Sequence, residues 1–460
     1  MGVFMLNEIE LRDKLVNGKI TVAVYGLGHI GSPILAAWLL SGARGIGVDI
    51  DGRKVELLNK GMSPVKEPCL EEIFKRAREE GKLWATTNGV EASRRSDVKI
   101  IAVPTLLKGT EWPKNPDLSA IKSAAKNISL GLKKGDLVIV ESSVPPGTTR
   151  NLVKPILEES GLKAGKDFGL AYSPERIAEG RALRDIVESY PKIIGGIDKR
   201  STRVASILYS QIAKKGVIEV SNDIVAEFEK LAEGIYRDVN IALANELAGL
   251  ARVLGIDYDE VMAAANSQPY SHLHRPGTGV GGLCIPIYPH FLSWIAKERG
   301  LRLTLTEEAR KINEGMPRKV VELVVEGIKK LEIGSPKVSV LGLAFRGDVP
   351  DPRMSPTYDL LEELRRRGID IVAVHDPFIE EDPRLDELGI PLTKNLDEAL
   401  SLPNIALIST DHSIYRLKLS ELFGKYRNIL LVIDGRHILD VDMIPPGKGY
   451  VGIGRPWLLG

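Results

Sequence analysis

The chain predicts an α/β fold: two Rossmann-like, doubly wound parallel-sheet domains joined by a central helical domain with one long helix. Three observations predict it. Short apolar, β-branched runs alternate with helical stretches, the pattern of parallel sheets covered on both faces. The same order of runs occurs twice, once from Lys19 and again from Lys337. Between the halves, residues 223–254 hold no proline and repeat apolar residues at helical spacing. For 460 residues two or three domains are expected, and the breaks fall at 1–210, 211–314 and 315–460.

Met1 to Ile20, with Glu8, Glu10, Arg12, Asp13 and Lys14, reads as an amphipathic lead-in rather than a signal peptide. Residues Lys19 to Tyr25 form a strand, Gly26-Leu27-Gly28-His29-Ile30-Gly31 a turn, and Ser32 to Ser41 a helix. Gly45 to Asp49 is a second buried strand ending in a carboxylate. A G-x-G-x-x-G run alone is weak. Here it follows a strand, precedes a helix, and is followed 18 residues after Gly31 by Asp49, which is the Rossmann dinucleotide fingerprint. Pyrophosphate would lie on the backbone N–H groups at the helix start. Asp49 would accept hydrogen bonds from the adenosine ribose, favouring NAD over NADP; its alternative is an ordinary turn carboxylate. Strands at Val98 to Val103 and Leu137 to Glu141 complete this half.

The later half echoes it with strands at Lys337 to Leu341, Asp370 to Asp376, Ile405 to Ser409 and Leu430 to Asp434. Its first turn lacks the G-x-G-x-x-G spacing, so it need not hold a dinucleotide. In the segment between, Phe228, Leu231, Ile235, Val239, Ala242, Leu243, Leu247, Leu250 and Val253 recur at helical spacing. Asp223 reads as the N-cap and Gly255 as the C-terminal stop. At 1.5 Å per residue such a helix runs on the order of 45 Å, spans the two halves, and carries apolar surface suited to a dimer contact.

Composition excludes several classes. Hydrophobic residues at 43% and charged residues at 27% describe a globular chain. A formal charge of +1 makes no electrostatic case for nucleic acid or an anionic membrane. No apolar run approaches the ~20 residues of a membrane helix. Two cysteines far apart fit a reducing, cytoplasmic setting.

Cys284 closes the glycine-rich run Pro276-Gly277-Thr278-Gly279-Val280-Gly281-Gly282-Leu283-Cys284. After an alcohol is oxidised to an aldehyde, a thiolate can attack, so that a second hydride leaves and a thioester forms. The alternative for a free cysteine is a small buried hydrophobe. On the long helix, Lys230 and Arg237 lie two turns apart on one face, where a solvated face is the alternative. Gly234 in mid-helix costs about 1 kcal/mol against Ala and hints at a close approach. Glu141-Ser142-Ser143 leaves the fourth strand at the edge where α/β sheets bind ligands. Glu175 and Glu179 stand four apart, and one could act as general base for water. His272 and His274 have no third ligand in company, so no metal site is expected.

These motifs together resemble the UDP-glucose/GDP-mannose dehydrogenase family nearly end to end: the fingerprint with Asp49, Val103-Pro104-Thr105, Glu141-Ser142-Ser143, Ser173-Pro174-Glu175 with Glu179-Gly180, Glu229-Lys230-Leu231, Asn245-Glu246, Gly281-Gly282-x-Cys284, Gly342-Leu343-Ala344-Phe345, Asp351-x-Arg353-x-Ser355-Pro356, Asp376-Pro377 and Asp434-Gly435-Arg436. The resemblance implies four-electron oxidation of C6 of a UDP-sugar to the uronate, with two NAD⁺ and no metal. It implies an NAD domain, a central dimerisation domain and a UDP-sugar domain over the three ranges above, in a homodimer or higher oligomer. Cys284 would be the nucleophile, Lys230 would stabilise substrate oxygen charge, and Glu179 would serve thioester hydrolysis. Gly26, Gly28, His29, Ile30, Gly31, Asp49, Pro104, Thr105, Ser143 and Glu175 would face NAD. Lys230, Arg237, Gly281, Phe345, Arg346 and Arg353 would face the UDP-sugar.

Two positions depart from the family pattern: Gly234 stands where Asn is usual, and Tyr288 where Asp is usual. Arg237 to Ala242, Ala244 to Leu247 and the Pro276–Gly282 run resemble the UDP-N-acetylmannosamine branch, whereas Glu179-Gly180 looks more like the UDP-glucose branch. The expected substrate is UDP-N-acetyl-D-mannosamine, with UDP-N-acetylglucosamine and UDP-glucose behind it. Other readings are an oxidase arrested at the aldehyde, a nucleotide-sugar-binding regulator, and a two-domain β-hydroxyacid dehydrogenase.

Overall fold

The computed structural model describes residues 2–458. They form two compact units: one runs through Glu233 and takes in His290–Leu301, and the other comprises Gly234–Pro289 and the described residues from Arg302 onward. The stretch 211–314, expected as a central domain, is thus shared between them.

The first unit contains β1 (Thr21–Tyr25), β2 (Arg44–Val48), β3 (Leu83–Thr86), β4 (Val98–Ile101), β5 (Leu106–Lys108), β6 (Asn115–Asp117), β7 (Leu137–Val140), β8 (Gly169–Tyr172), β9 (Lys192–Gly196) and β10 (Val217–Glu219). Strands β5 and β6 pair as a separate antiparallel ribbon. The other eight make one sheet in the order β10-β9-β8-β7-β4-β1-β2-β3. Val22 and Val24 enter the core on one face with Leu35, Trp38, Ile100 and Ile139, while Ala23 and Tyr25 enter the other with Ile101, Val138 and Leu170. Burial on both faces explains why these strands read as continuous apolar runs.

One pair departs from the parallel pattern of the rest of this sheet: β8 and β9 run antiparallel. Antiparallel neighbours need no crossover, so the chain from 173 to 191 can turn back at the edge where β8 ends. Lys99 on β4 is a second surprise. It is fully buried and pairs with Asp136, and burial lowers its pKa to about 8.

The second unit contains β11 (Lys337–Leu341), β12 (Asp370–His375), β13 (Leu392–Thr393), β14 (Ile405–Ile408), β15 (Leu431–Asp434) and β16 (Gly449–Gly452). All pairs are parallel, in the order β13-β12-β11-β14-β15-β16. Val338 and Val340 face one core, and Leu341 faces the other with Ala406 and Ile408.

The long helix spans Asp223–Leu254, as the apolar spacing predicts. Its cap does not follow the prediction. Asn222 Oδ1 accepts from the Val225 N–H at 3.1 Å, and Asp223 is the first helical residue, buried and paired with Arg150 at 2.6 Å. Asparagine caps as well as aspartate does, and the carboxylate is taken by the guanidinium. Gly255 (φ +73°) ends the helix, its N–H bonding the Arg252 carbonyl.

One turn in, the buried Glu227 carboxylate accepts from Gly147 N–H at 2.5 Å and Thr149 N–H at 2.8 Å. This ties the helix start to the Pro145-Pro146-Gly147 turn after β7. Burial raises the Glu227 pKa to about 7 against the pull of these bonds. A carboxyl raised on folding contributes stability that is full below about 4.5 and is lost as pH rises through about 7. Glu227→Gln is therefore expected to flatten the fall in melting temperature between pH 5 and 8. It should also cost about 1–3 kcal/mol, because its amide NH₂ faces a backbone donor. Thermal melts of both proteins across that range check this.

Candidate active site

In the first sheet the strand order reverses between β1 and β4, and the Gly26–Gly31 turn and Val103-Pro104-Thr105 leave those two strands at their carboxyl ends. Such a switch point is where open α/β sheets bind ligands. The three glycines do different work. A Cβ on Gly26 (φ +101°) would lie 2.5 Å from the Ala102 carbonyl oxygen, and one on Gly31 would lie 1.8 Å from the Gly26 oxygen. A Cβ on Gly28 would meet nothing within 4 Å. Gly26 and Gly31 therefore pack the turn, and Gly28 presents bare backbone to open space at the start of the Gly31–Leu40 helix. That cradle fits a pyrophosphate. Asp49 lies beside it, with Oδ2 accepting from Leu27 N–H at 2.7 Å and Oδ1 from Asp51 N–H at 3.0 Å. Thr105 Oγ1 donates to the Ser143 carbonyl at 2.6 Å, and Ser142 Oγ to the Val103 carbonyl at 2.7 Å. These bonds join the loops after β4 and β7, with Pro104 exposed at their rim.

The two predicted glutamates separate in role. Glu179 Oε1 lies 2.6 Å from His29 Nδ1, a close polar contact. It sets Glu179 over the nucleotide turn. Its loop is pinned by Glu67, which accepts from Gly180 N–H at 2.6 Å. Glu175 instead points into the protein. Lys192 Nζ lies 2.5 Å from Glu175 Oε2 and 2.7 Å from Glu141 Oε2, and the Tyr209 hydroxyl donates to Glu141. All four residues are buried. Burial raises the Glu141 pKa to about 7, opposed by Lys192 and reinforced by Glu175. The sequence gives no sign of this cluster except a lysine at the start of an apolar strand, a position that usually belongs to an exposed strand end.

In the second unit, the run from Pro276 to Cys284 has no regular secondary structure and is held by its surroundings. Gly277 N–H donates to Asn245 Oδ1 at 2.9 Å, Asn245 Nδ2 to Asn313 Oδ1 at 2.9 Å, and Asn313 Nδ2 to Asp238 Oδ1 at 2.8 Å. Burial raises the Asp238 pKa to about 6. The fully buried Arg310 lies 3.4 Å from Asp238. Thr278 Oγ1 donates to the Gly435 carbonyl at 3.1 Å. A Cβ on Gly281 would lie 2.6 Å from the Phe345 Cβ and 2.6 Å from the Met354 carbonyl oxygen, and Gly282 N–H donates to the Arg353 carbonyl at 3.0 Å. The thiol of Cys284 ends this run exposed.

The structure thus brings the Cys284 run together with Gly281, Phe345 and Arg353 at the carboxyl end of β11, beside Arg346. Arg353 forms a fork on Asp351, with Nε–Oδ1 at 2.7 Å and Nη2–Oδ2 at 2.5 Å. Asp376, the counterpart of Asp49, is committed. It accepts from Leu343 and Ala344 N–H at 3.0 and 2.9 Å, from Phe378 and Ile379 N–H, and lies 3.1 Å from His412 Nε2. It fixes the loop that carries Phe345 and Arg346. Lys230 and Arg237 lie on the long helix, Lys230 half-buried and Arg237 exposed. Among the described residues one group of metal-ligating types converges, Asp257, Asp259 and His437. Arg455 already supplies its positive charge, with Nε 2.9 Å from Asp257 and Nη2 3.4 Å from Asp259.

The UDP-glucose/GDP-mannose dehydrogenase family models match in sequence: the NAD binding domain at residues 20–213, the central domain at 224–315 and the UDP binding domain at 339–441. The chain belongs to this family and is an NAD-dependent nucleotide-sugar dehydrogenase. It is 35% identical to the UDP-N-acetyl-D-mannosamine dehydrogenase of Pyrococcus horikoshii, over 94% of this chain and 99% of that protein. A solved structure of a UDP-D-ManNAc dehydrogenase from that organism superposes with a TM-score of 0.86, at 35% identity, over 95% of this chain and 99% of that one. An NDP-N-acetyl-D-galactosaminuronic acid dehydrogenase from Methanosarcina mazei superposes with a TM-score of 0.81, at 32% identity, over 98% of both chains.

Removing the buried lysine leaves two carboxylates facing each other. Lys192→Met is expected to lower stability by about 3–5 kcal/mol at pH 8. The loss should be smaller at pH 5, where Glu141, its pKa raised further, holds its proton. Chemical denaturation at the two pH values reads the difference.

Proposed function

We propose that this chain oxidises C6 of UDP-N-acetyl-D-mannosamine to the carboxylate, consuming two NAD⁺ and passing through a covalent adduct on Cys284. The observation that carries the reading is an exposed thiol at the end of a glycine-rich run that buried side chains hold in place. NAD⁺ supplies the hydride acceptor for each oxidation. The first oxidation turns the C6 alcohol into an aldehyde, with its hydroxyl proton released to solvent. The Cys284 thiolate then adds to the aldehyde carbon, forming the C–S bond and leaving charge on oxygen. By its motif, Lys230 is assigned to that charge. Loss of the second hydride from C6 gives the thioester. Water attacks it, the C–S bond breaks, and the carboxylate leaves with the thiolate restored. Glu179 is assigned one proton from that water, and the second passes to solvent as the acid ionises. The turn of Gly26, Gly28 and Gly31, with His29, Ile30 and Asp49, is assigned to NAD together with Pro104, Thr105, Ser143 and Glu175. Arg237, Gly281, Phe345, Arg346 and Arg353 are assigned to the UDP-sugar. Asp351 holds the Arg353 guanidinium until a diphosphate competes for it.

The choice of sugar rests on the Pyrococcus horikoshii relative's name and on the Arg237–Ala242 and Pro276–Gly282 runs. A site built for an N-acetyl amide leaves buried polar groups unpaired with a plain hydroxyl, which can cost about 10⁴-fold. The wild-type enzyme is expected to form two NADH per UDP-N-acetylmannosamine and to turn over UDP-glucose far more slowly, while Cys284→Ala forms no uronate but still binds NAD⁺. NADH absorbance over a panel of UDP-sugars, with product analysis, tests this. Equal kcat/KM for UDP-glucose overturns the sugar, and uronate from Cys284→Ala overturns the covalent route.

We also propose that a second copy covers the apolar residues the long helix leaves exposed, among them Phe228, Leu243, Leu250 and Val253. Light scattering at micromolar concentration should give at least twice the 50.4 kDa chain mass. A monomer would rule this out.

A further inference from the structure

We propose that Tyr288 is the positioning residue for Cys284 and that Gly234 is a glycine in order to admit its ring. The inference rests on Cys284 being the nucleophile. A Cβ on Gly234 would lie 2.3 Å from Tyr288 Cδ2, 3.0 Å from Cε2 and 3.3 Å from Cγ. Real β-carbons do not approach an aromatic ring so closely, so no residue with a β-carbon fits at 234 while the ring is in place. The contact is buried on both sides, with Tyr288 only 4% exposed.

The other end of the same residue acts on the nucleophile. Tyr288 opens the Tyr288–Glu298 helix. Its N–H donates to the Cys284 carbonyl at 3.1 Å, and the Ile287 N–H donates to the same oxygen at 3.0 Å. Two donors on one carbonyl fix the peptide that follows the thiol. The chain of contact therefore runs from the Gly234 backbone to the Tyr288 ring, from the Tyr288 N–H to the Cys284 carbonyl, and so to the thiol. Glycine in a helix interior costs about 1 kcal/mol against alanine, a cost here offset by burying an aromatic ring against bare backbone.

The long helix contains its own control. Gly249 lies on the same helix, is exposed, and a Cβ there would meet nothing within 4 Å. Gly249 is a glycine for no packing reason, and Gly234 is one for a specific reason. A side chain at 234 and the tyrosine ring at 288 exclude each other, so this ring requires glycine at 234. The tyrosine ring holds by packing the segment that follows the nucleophile.

The test uses the full-length enzyme in a Cys69→Ser background, so that the one remaining thiol is Cys284. Gly234→Ala is expected to lower kcat about 100-fold, the size of effect a misplacement of about 1 Å produces, with KM for NAD⁺ nearly unchanged. The rate of Cys284 alkylation by iodoacetamide should shift by about tenfold. Gly249→Ala should stay within about twofold in both readouts. Tyr288→Ala, which removes the ring, should resemble Gly234→Ala. In Gly234→Ala/Tyr288→Ala the new methyl group meets no ring, so the double variant should be no worse than Tyr288→Ala alone. Wild-type kcat and alkylation rate in Gly234→Ala overturn the proposal, as do losses that simply add in the double variant. Uronate formation by Cys284→Ala would instead remove the covalent reading, while alkylation still reports whether Gly234 and Tyr288 position the thiol.

Discussion

The Cys284 run is held by side chains that stand where β-carbons are missing. Tyr288 packs on Gly234, Phe345 packs on Gly281 and Gly282, and Arg436 lies where a Cβ of Gly277 would be. A segment without a ladder of its own has few backbone hydrogen bonds to define it. Contacts of this kind replace them, because a ring against bare backbone leaves little freedom to either partner. The polar chain from Gly277 through Asn245 and Asn313 to Asp238 fixes the start of the run in the same sense. The Cys284 side chain can therefore stay exposed while its backbone is set.

Buried charge does a related job at the strand ends. Lys192 joins the ends of β7 and β9 to the Glu175 loop through Glu141. Asp376 gathers four backbone N–H groups and His412, and so holds the turn after β11. Burial works to raise the pKa of Asp376, yet His412 and these N–H groups outweigh it, and the carboxyl is held below its ordinary value. Glu141 lacks that backbone support and is pushed the other way. The difference follows from donors: a buried carboxylate stays ionised where N–H groups converge on it. Such clusters are weak sources of net stability and strong sources of definition, since losing one member strands the rest.

The two halves use one architecture for different ends. In the first, the turn after β1 leaves Gly28 open and Asp49 at its side, with Asp49 accepting from two N–H groups. In the second, Gly342 is packed as Gly26 is, with a Cβ 2.2 Å from Thr410 Cβ, but Ala344 stands where the first turn has the open Gly28. Asp376 is spent on the backbone. The loops that follow the second sheet's strands instead carry Phe345, Arg346, Arg353 and Arg436.

By itself the sequence determined the central strands of both sheets (β1, β2, β4 and β7; β11, β12, β14 and β15), the long helix and the dinucleotide turn, because each is written in local periodicity. Apolar runs specify strands buried on two faces, 3.6-residue spacing specifies the Asp223–Leu254 helix, and glycine spacing specifies the turn. It also picked out Cys284, whose setting among glycines is visible in one line of residues. It misjudged what depends on partners far along the chain. Asp223 read as a cap but is bound to Arg150, 73 residues away. Strand β9, which runs against β8, has no counterpart among the strands read from the sequence. Gly234 and Tyr288, 54 positions apart, read as two separate losses. Only the tertiary structure shows that they are one contact, because steric exclusion between a ring and a missing methyl has no signature in the neighbours of either residue.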